Sequence, residues 1–229
     1  SYAQLIYASD MSNPENGQFY QSMQEAVTEI SSKLLFFTLE INRIDDLEFD
    51  QKLETPELSH FAPWIRDVRV FRPHQLSDEL EKMLLEKSVT GRSSWIRLFD
   101  ETMAALRFEI DDQELTIAEI LDLLSHKDSD KRKTAALTLG AKLNDNIKLY
   151  SLITNSLAKD KEIEDNWRQY AKPVSSRNRI NQVEDDVVDA LVTTVTQSYE
   201  RLSHRYYKLK AEWFGVKQLN YWDRNAPYP

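Results

Sequence analysis

The chain has 229 residues, no cysteine and a formal net charge of −9 at pH 7. Without cysteine it has no disulfide framework, no thiolate metal ligand and no cysteine nucleophile, and it fits a reducing compartment such as the cytoplasm. The acidic balance makes nucleic acid an unfavourable partner, because a negatively charged globule repels phosphate backbones. No apolar run approaches the roughly 20 residues that cross a bilayer, so we expect no membrane partner.

The first long element is predicted from a helix-start signal at Asn13-Pro14. Behind it, apolar residues recur every three or four positions from Phe19 to Ile44, which predicts one face of a long helix. Between Leu34 and Leu39 nearly every position is apolar. We therefore expect the middle of this helix to be covered on several sides.

The one β-like pattern lies near residues 107–116, where Phe108 and Ile110 alternate with charged residues before a turn at Asp111-Asp112. Thr116 and Glu119 have the spacing of a capping box, so the hairpin leads straight into a helix. Only four glycines are present, which favours helices over many tight turns. We predict an all-α, multi-helix fold with one small β-hairpin near residues 107–116.

The second half of the chain is predicted to hold three further helices. Asp128 to Asp130 caps one helix, and another covers residues 145 to about 158. Residues 159–179 are polar, and we expect them to be irregular. A final long helix starts at Glu184, and Gly215 is expected just beyond its end.

The residues themselves predict no catalytic or metal site. Zinc hydrolases commonly place two histidines four apart on a helix with a glutamate beside the first. The four histidines are far apart in sequence and none precedes a glutamate: His60, His74, His126 and His204. A nucleophile elbow and a glycine-rich phosphate loop are also missing from the sequence.

One segment, running from His204 to Lys208, is a candidate for binding. Tyr206 belongs to the apolar stripe of the final helix, which is typical of core packing. His204, Arg205 and Tyr207 point elsewhere and are candidates to line a groove for peptide backbone or carboxylate.

Five long runs of the sequence resemble oligoendopeptidase F-like proteins, bacterial zinc metallopeptidases related to thimet oligopeptidase. Together they extend over essentially the whole chain: SYAQLIYASD at the start, LLFFTLEINRIDD from Leu34, FRPHQLSDELEKMLLEKSVTGRSSWIRLFDE from Phe71, LITNSLAKDKEIEDNWR from Leu152, and SHRYYKLKAEWFG with YWDRNAP from Ser203 onward.

The resemblance implies a zinc peptidase that cleaves oligopeptides, with its zinc held by an HExxH helix and a later glutamate. No position of this sequence matches those residues, so the chain is expected to bind no zinc itself and to be a non-catalytic, N-terminal-side portion lacking the catalytic region. The expected partners are the missing catalytic domain of the same polypeptide and an oligopeptide substrate held in a channel between two lobes.

The same resemblance implies three parts: a helical subdomain at 1–105, a hairpin-plus-helix oligopeptidase F N-terminal-type domain at 106–214, and a crossing segment at 215–229. Tyr221 and Trp222 are then candidates for contact with the other lobe, because an isolated lobe exposes apolar surface that its partner covers. The alternative is a stand-alone helical module that binds peptides or proteins without catalysis.

Overall fold

The computed structural model describes residues 1–228. It is 73% helical with a single two-stranded antiparallel hairpin among the described residues, so the predicted all-α fold with one hairpin is confirmed. Within that range no helix is both long and apolar enough to cross a membrane. Helices α1 to α13 are, in chain order, Tyr2–Ser9, Pro14–Arg43, Asp46–Leu53, Pro56–Ser59, Ala62–Arg69, Asp78–Lys87, Arg92–Ala105, Ile117–Leu123, Ser129–Asp145, Ile147–Trp167, Ser175–Ile180, Asp185–Gln197 and Arg205–Trp213.

The chain forms two compact units. Unit 1 comprises Ser1–Arg97 with Asn155–Val188, and unit 2 comprises Leu98–Thr154 with Asp189–Pro229. The three-part division at residues 105 and 214 stays a prediction.

Helix α2 confirms the predicted long helix, and the Asn13 side chain caps it by accepting a hydrogen bond from the Glu15 N–H at 2.9 Å. The expectation that its middle is covered on several sides is wrong for the described chain, since Leu34 remains 59% exposed. Apolar composition marks a surface suited to burial, but burial requires a neighbouring element. The exposed residues form what we call the α2 stripe: Met23, Val27, Ile30, Leu34 and Phe37.

The core of unit 1 lies at the C-terminal end of α2. Ile41 is buried there with Phe49, Leu53 and Ala62. The Arg69 guanidinium lies 4.5 Å from the centroid of the Phe49 ring and donates a 2.7 Å hydrogen bond to the Ile41 carbonyl. One arginine therefore covers an aromatic face and satisfies a carbonyl that the end of the helix leaves without a partner.

The prediction that residues 159–179 are irregular is wrong for most of that segment, and it holds only for residues 168–174, which lie between two helices. Helix α10 continues to Trp167, and α11 occupies Ser175–Ile180. Ion pairs along α10 join Lys159 to Glu162 at 2.8 Å and Lys161 to Asp165 at 2.7 Å. Pairs at this spacing support a solvent-facing helix without an apolar stripe, which is why hydrophobic periodicity did not reveal it.

The hairpin of unit 2 comprises β1 (Phe108–Ile110) and β2 (Gln113–Leu115), paired with Phe108 opposite Leu115. The predicted turn residues Asp111 and Asp112 have φ angles of 51° and 62°, as a two-residue type I′ turn requires. The predicted capping box follows, with the Thr116 N–H donating to Glu119 at 2.7 Å. The hairpin and α9 enclose a second core, made of Leu106, Phe108, Ile120 and Ala135.

The final helix is interrupted, where the sequence predicted one continuous helix from Glu184. Helix α12 ends at Gln197, a π-helical turn spans Glu200–His204, and α13 follows directly. The His204 N–H donates to the Tyr199 carbonyl at 2.9 Å, five residues back, so the turn holds one extra residue. Periodicity does not reveal such a turn, because the apolar spacing on either side still fits a helix.

The predicted helix stop at Gly215 is confirmed, with a φ angle of 67°. The Gly215 N–H donates to the Glu212 carbonyl and the Val216 N–H to the Ala211 carbonyl, both at 3.0 Å. These two bonds form a Schellman motif, which ends α13 and turns the chain back along it.

Two glycine-to-alanine substitutions are expected to act in opposite directions. Gly215→Ala should lower the free energy of unfolding by about 1 kcal/mol, because a β-carbon is strained at positive φ. Gly140→Ala, in the middle of α9, should raise it by about 0.5–1 kcal/mol through helix propensity. Neither added β-carbon would meet an atom within 4 Å, so packing does not obscure the comparison. Thermal unfolding checks both; a shift of the same sign in the two variants would contradict the backbone explanation.

Candidate functional site

A groove of about 770 Å³ lies within unit 2, between α13 and the segment that follows it. It brings together three residues that the sequence singled out, His204, Tyr207 and Tyr221. The other lining residues are Lys208, Ala211, Lys217, Gln218, Leu219, Asn220 and Arg224.

One wall of the groove is a face of α13 and the π-helical turn before it. His204, Tyr207, Lys208 and Ala211 follow the spacing i, i+3, i+4, i+7, which places them on one side of a helix. Arg205 is exposed but is not among the lining residues, because one residue further along is a rotation of about 100°. Of the three candidates that are close together in sequence, His204 and Tyr207 therefore line the groove and Arg205 does not.

The opposite wall is a short segment that folds back onto α13. Its 3₁₀ turn, Tyr221–Asp223, is capped by Asn220, whose N–H donates to the Asp223 carboxylate at 3.1 Å. The Lys210 ammonium donates a 2.9 Å hydrogen bond to the Arg224 carbonyl. Lys210 is buried, and that burial, followed by repulsion from Arg132, lowers the pKa of its amine.

A buried ion pair fixes this wall to α9. The Arg132 guanidinium donates to the Asp223 carboxylate at 2.6 Å, and the two side chains are 1% and 8% exposed. Arg132 also donates to the carbonyls of His126 and Lys127, at 2.8 and 2.9 Å. Burial raises the pKa of Asp223, but the hydrogen bonds from Arg132 and Asn220 outweigh it, and the net pKa is lowered.

Tyr221 and Trp222, the two residues predicted from the sequence to contact another lobe, differ in how far they are exposed. The Tyr221 ring is exposed, and it lies edge-on to the half-buried Trp222 ring with centroids 4.9 Å apart. The Lys133 ammonium lies 5.7 Å from the centroid of the Trp222 ring. Trp222 is thus partly covered by its own chain, and an inter-lobe role for the two residues stays a prediction.

Unit 1 holds a second polar cluster that sequence reasoning missed. Arg168 donates to both carboxylate oxygens of Glu81, at 2.7 and 2.9 Å, and to Glu164 at 2.7 Å. It also donates to the His74 carbonyl at 3.1 Å, while the His74 ring stacks on Tyr170 with centroids 3.9 Å apart. Arg168 and Glu81 are 87 residues apart, so no local pattern reveals their pairing.

The described residues do not provide a metal site. No three of their histidine, aspartate or glutamate side chains cluster in a way that could hold an ion. Two of the four histidines have other partners: His126 Nδ1 accepts a hydrogen bond from the Asp128 N–H at 3.0 Å, and His74 Nδ1 lies 2.8 Å from the Arg168 carbonyl oxygen.

Comparisons with known proteins agree on one family. A family model described as oligopeptidase F matches residues 40–108. The chain is 24% identical over 228 residues to an oligoendopeptidase F homologue of Borreliella burgdorferi, and 25% identical over 240 residues to the oligopeptidase PepF of Bacillus subtilis. These alignments cover 99% and 96% of the chain. The chain is similar to proteins of the oligoendopeptidase F family over nearly its whole length.

The fold of oligoendopeptidase F extends over nearly the whole chain. The crystal structure of oligoendopeptidase F from Enterococcus faecium superposes with a TM-score of 0.88 over 99% of this chain, at 23% sequence identity. The chain covers 46% of that structure, and it spans 38% and 35% of the length of the two curated relatives. It therefore corresponds to less than half of an oligoendopeptidase F.

Proposed function

We propose that this chain is a non-catalytic part of a zinc endopeptidase that cleaves oligopeptides, and that it forms part of the wall around the substrate channel. The observation that carries the proposal is the alignment of nearly the entire chain with two proteins named for oligopeptidase activity. The chain spans little more than a third of either relative, so a separate catalytic portion is part of the proposal.

Zinc belongs, in this proposal, to the catalytic portion of the intact polypeptide. The residues described here do not fit a zinc site, because they offer no cluster of three suitable ligands. We therefore assign neither metal binding nor proton transfer to this chain. The missing catalytic domain and the oligopeptide are its partners, and the lack of cysteine fits a cytoplasmic setting.

The proposed contribution of the chain is physical. A rigid helical wall excludes folded proteins from the channel and admits flexible oligopeptides. Contacts with parts of the peptide remote from the scissile bond can hold the substrate in position, which converts binding energy into rate. Within unit 2 the groove bearing His204, Tyr207 and Tyr221 is the surface that best fits this task, because it combines aromatic rings with hydrogen-bond donors.

The stand-alone binding module remains the second candidate, and the same groove favours it. A groove whose walls are fixed by buried contacts can bind a peptide whether or not a catalytic domain is attached. The two candidates differ in whether peptide-bond cleavage accompanies binding.

Peptide cleavage assays test the proposal. An internally quenched oligopeptide is incubated with the purified chain and with the product of the complete reading frame that encodes it, each with zinc and with a chelator. We expect no turnover by the chain alone, and chelator-sensitive turnover of the oligopeptide, but not of a folded protein, by the complete product. Zinc-dependent cleavage by the chain alone, or a complete product that binds peptides without cleaving them, would contradict the proposal.

A further inference from the structure

The groove in unit 2 carries a concentrated positive charge. No residue that lines the groove is acidic, and four are basic: His204, Lys208, Lys217 and Arg224. This contrasts with the net charge of −9 for the whole chain. Among residues 1–228, Lys208, Lys217 and Arg224 form no ion pair, whereas many other surface lysines and arginines do.

The basic side chains approach the groove from both walls. Lys208 projects from the helical wall beside His204, while Lys217 and Arg224 belong to the opposite segment. Arg224 is held by its backbone, because its carbonyl accepts the hydrogen bond from Lys210 and the preceding Asp223 is fixed by Arg132. Its guanidinium is left available for a ligand, and it can bind a carboxylate through two parallel hydrogen bonds.

Charge complementarity indicates what such a groove takes. A cluster of cations from two walls exceeds what a single carboxylate neutralises, so a ligand with several carboxylates matches it best. Tyr207 and Tyr221 add aromatic surface for side chains and hydroxyl groups for hydrogen bonding. A long polyanion such as RNA is a poorer match, because the acidic surface outside the groove would repel it.

We propose that this groove binds the acidic C-terminal end of an oligopeptide, pairing the terminal carboxylate and neighbouring Asp or Glu side chains with Lys208, Lys217 and Arg224. The peptide nature of the ligand rests on the proposed function. The choice of an acidic end is new and comes from the charge of the groove.

Fluorescence anisotropy with labelled peptides tests this inference on the full chain. The probe is an octapeptide with two glutamates before a free C terminus. The same peptide is also made with a C-terminal amide, with both glutamates replaced by glutamine, and with both changes. We expect each change to weaken binding and the doubly changed peptide to bind least, with the affinity of the acidic peptide falling steeply as salt is added. Equal affinity for all four peptides would overturn the proposal.

Two matched double variants assign the effect to the groove. Lys217→Gln with Arg224→Gln should weaken binding of the acidic peptide by about tenfold or more, because charge-assisted hydrogen bonds are lost. Lys142→Gln with Lys148→Gln removes the same charge from exposed residues that do not line the groove. This control should change the affinity for the peptide less than about twofold, because salt screens the interaction between the peptide and exposed charges outside the groove. Equal weakening by both variants would overturn the assignment, as would tighter binding of an RNA oligonucleotide than of the peptide.

The outcomes distinguish this inference from the proposed function. If the complete protein cleaves oligopeptides but the four peptides bind the chain equally, only the acidic-end assignment fails. If the acidic peptide binds as expected and the complete protein cleaves nothing, the groove assignment stands and the peptidase proposal fails.

Discussion

Replacing Arg168 with methionine is expected to lower the free energy of unfolding of unit 1 by about 3 kcal/mol, because it leaves the carboxylate of Glu81 in a largely buried position without its cation. The two side chains are 17% and 14% exposed. The substitution also removes the hydrogen bonds that Arg168 donates to Glu164 and to the His74 carbonyl. Urea denaturation followed by circular dichroism measures the change.

Lys159→Met in α10 is the control for this substitution. It removes an equal charge and breaks a single ion pair whose two side chains are 63% and 58% exposed. Exposed pairs of this kind contribute less than about 0.5 kcal/mol on average, so a much smaller loss is expected. Equal losses in the two variants would show that Arg168 acts as an ordinary surface charge.

The pH dependence of the Arg168 effect has a definite sign. Burial raises the pKa of Glu81, but the hydrogen bonds from Arg168 and from the Leu76 N–H outweigh it, and the net pKa is lowered. The stabilisation is therefore present above the ordinary glutamate pKa of about 4.3 and is lost as the pH falls through the folded value. The difference in free energy of unfolding between the wild type and Arg168→Met should therefore become smaller below that pH. A difference that stays constant with pH would contradict the electrostatic explanation.

Replacing Arg132 with methionine is expected to lower the free energy of unfolding of unit 2 by about 3–5 kcal/mol, the range for breaking a buried ion pair from one side. Asp223 would keep its charge in a buried position, and the carbonyls of His126 and Lys127 would lose their donor. Because Asp223 fixes the groove wall, trypsin should also cleave more rapidly after Lys217 and Arg224. Denaturation and the time course of proteolysis measure the two effects.

Lys131→Met is the neighbouring control, since Lys131 is exposed on the same helix. It should change stability by less than about 0.5 kcal/mol and leave the cleavage rate after Arg224 unchanged. Asp223→Leu added to Arg132→Met should recover part of the lost stability, because no uncompensated charge then remains. A double variant less stable than Arg132→Met alone would indicate that Asp223 stabilises the wall mainly through Asn220.

Local signals predicted the local structure of this chain well. The Asn13-Pro14 helix start, the Asp111-Asp112 turn and the Gly215 stop all depend on a few adjacent residues, and the structure has each of them. The prediction of an irregular segment at residues 159–179 failed where α10 and α11 lie, because these helices rest on charge pairs and tertiary contacts, which hydrophobic periodicity does not report.

The candidate site was only partly accessible to sequence reasoning. His204 and Tyr207 were found from the density of aromatic and basic residues, but Lys217 and Arg224 join them only after the chain turns back at Gly215. Arg132 sits between two lysines, as a solvent-exposed residue would, and its partner Asp223 is 91 residues away. A buried ion pair between residues so far apart leaves no periodic pattern in the sequence, so only the folded structure reveals it.

The α2 stripe has a practical consequence for work with the isolated chain. Its five exposed apolar side chains recur every three or four residues along one face of α2, and two copies of the chain can shield them by associating side by side. Association adds a concentration-dependent contribution to apparent stability, because dilution shifts the equilibrium toward separate copies. Melting temperatures measured at different protein concentrations should therefore differ, and variants are comparable only at one matched, low concentration.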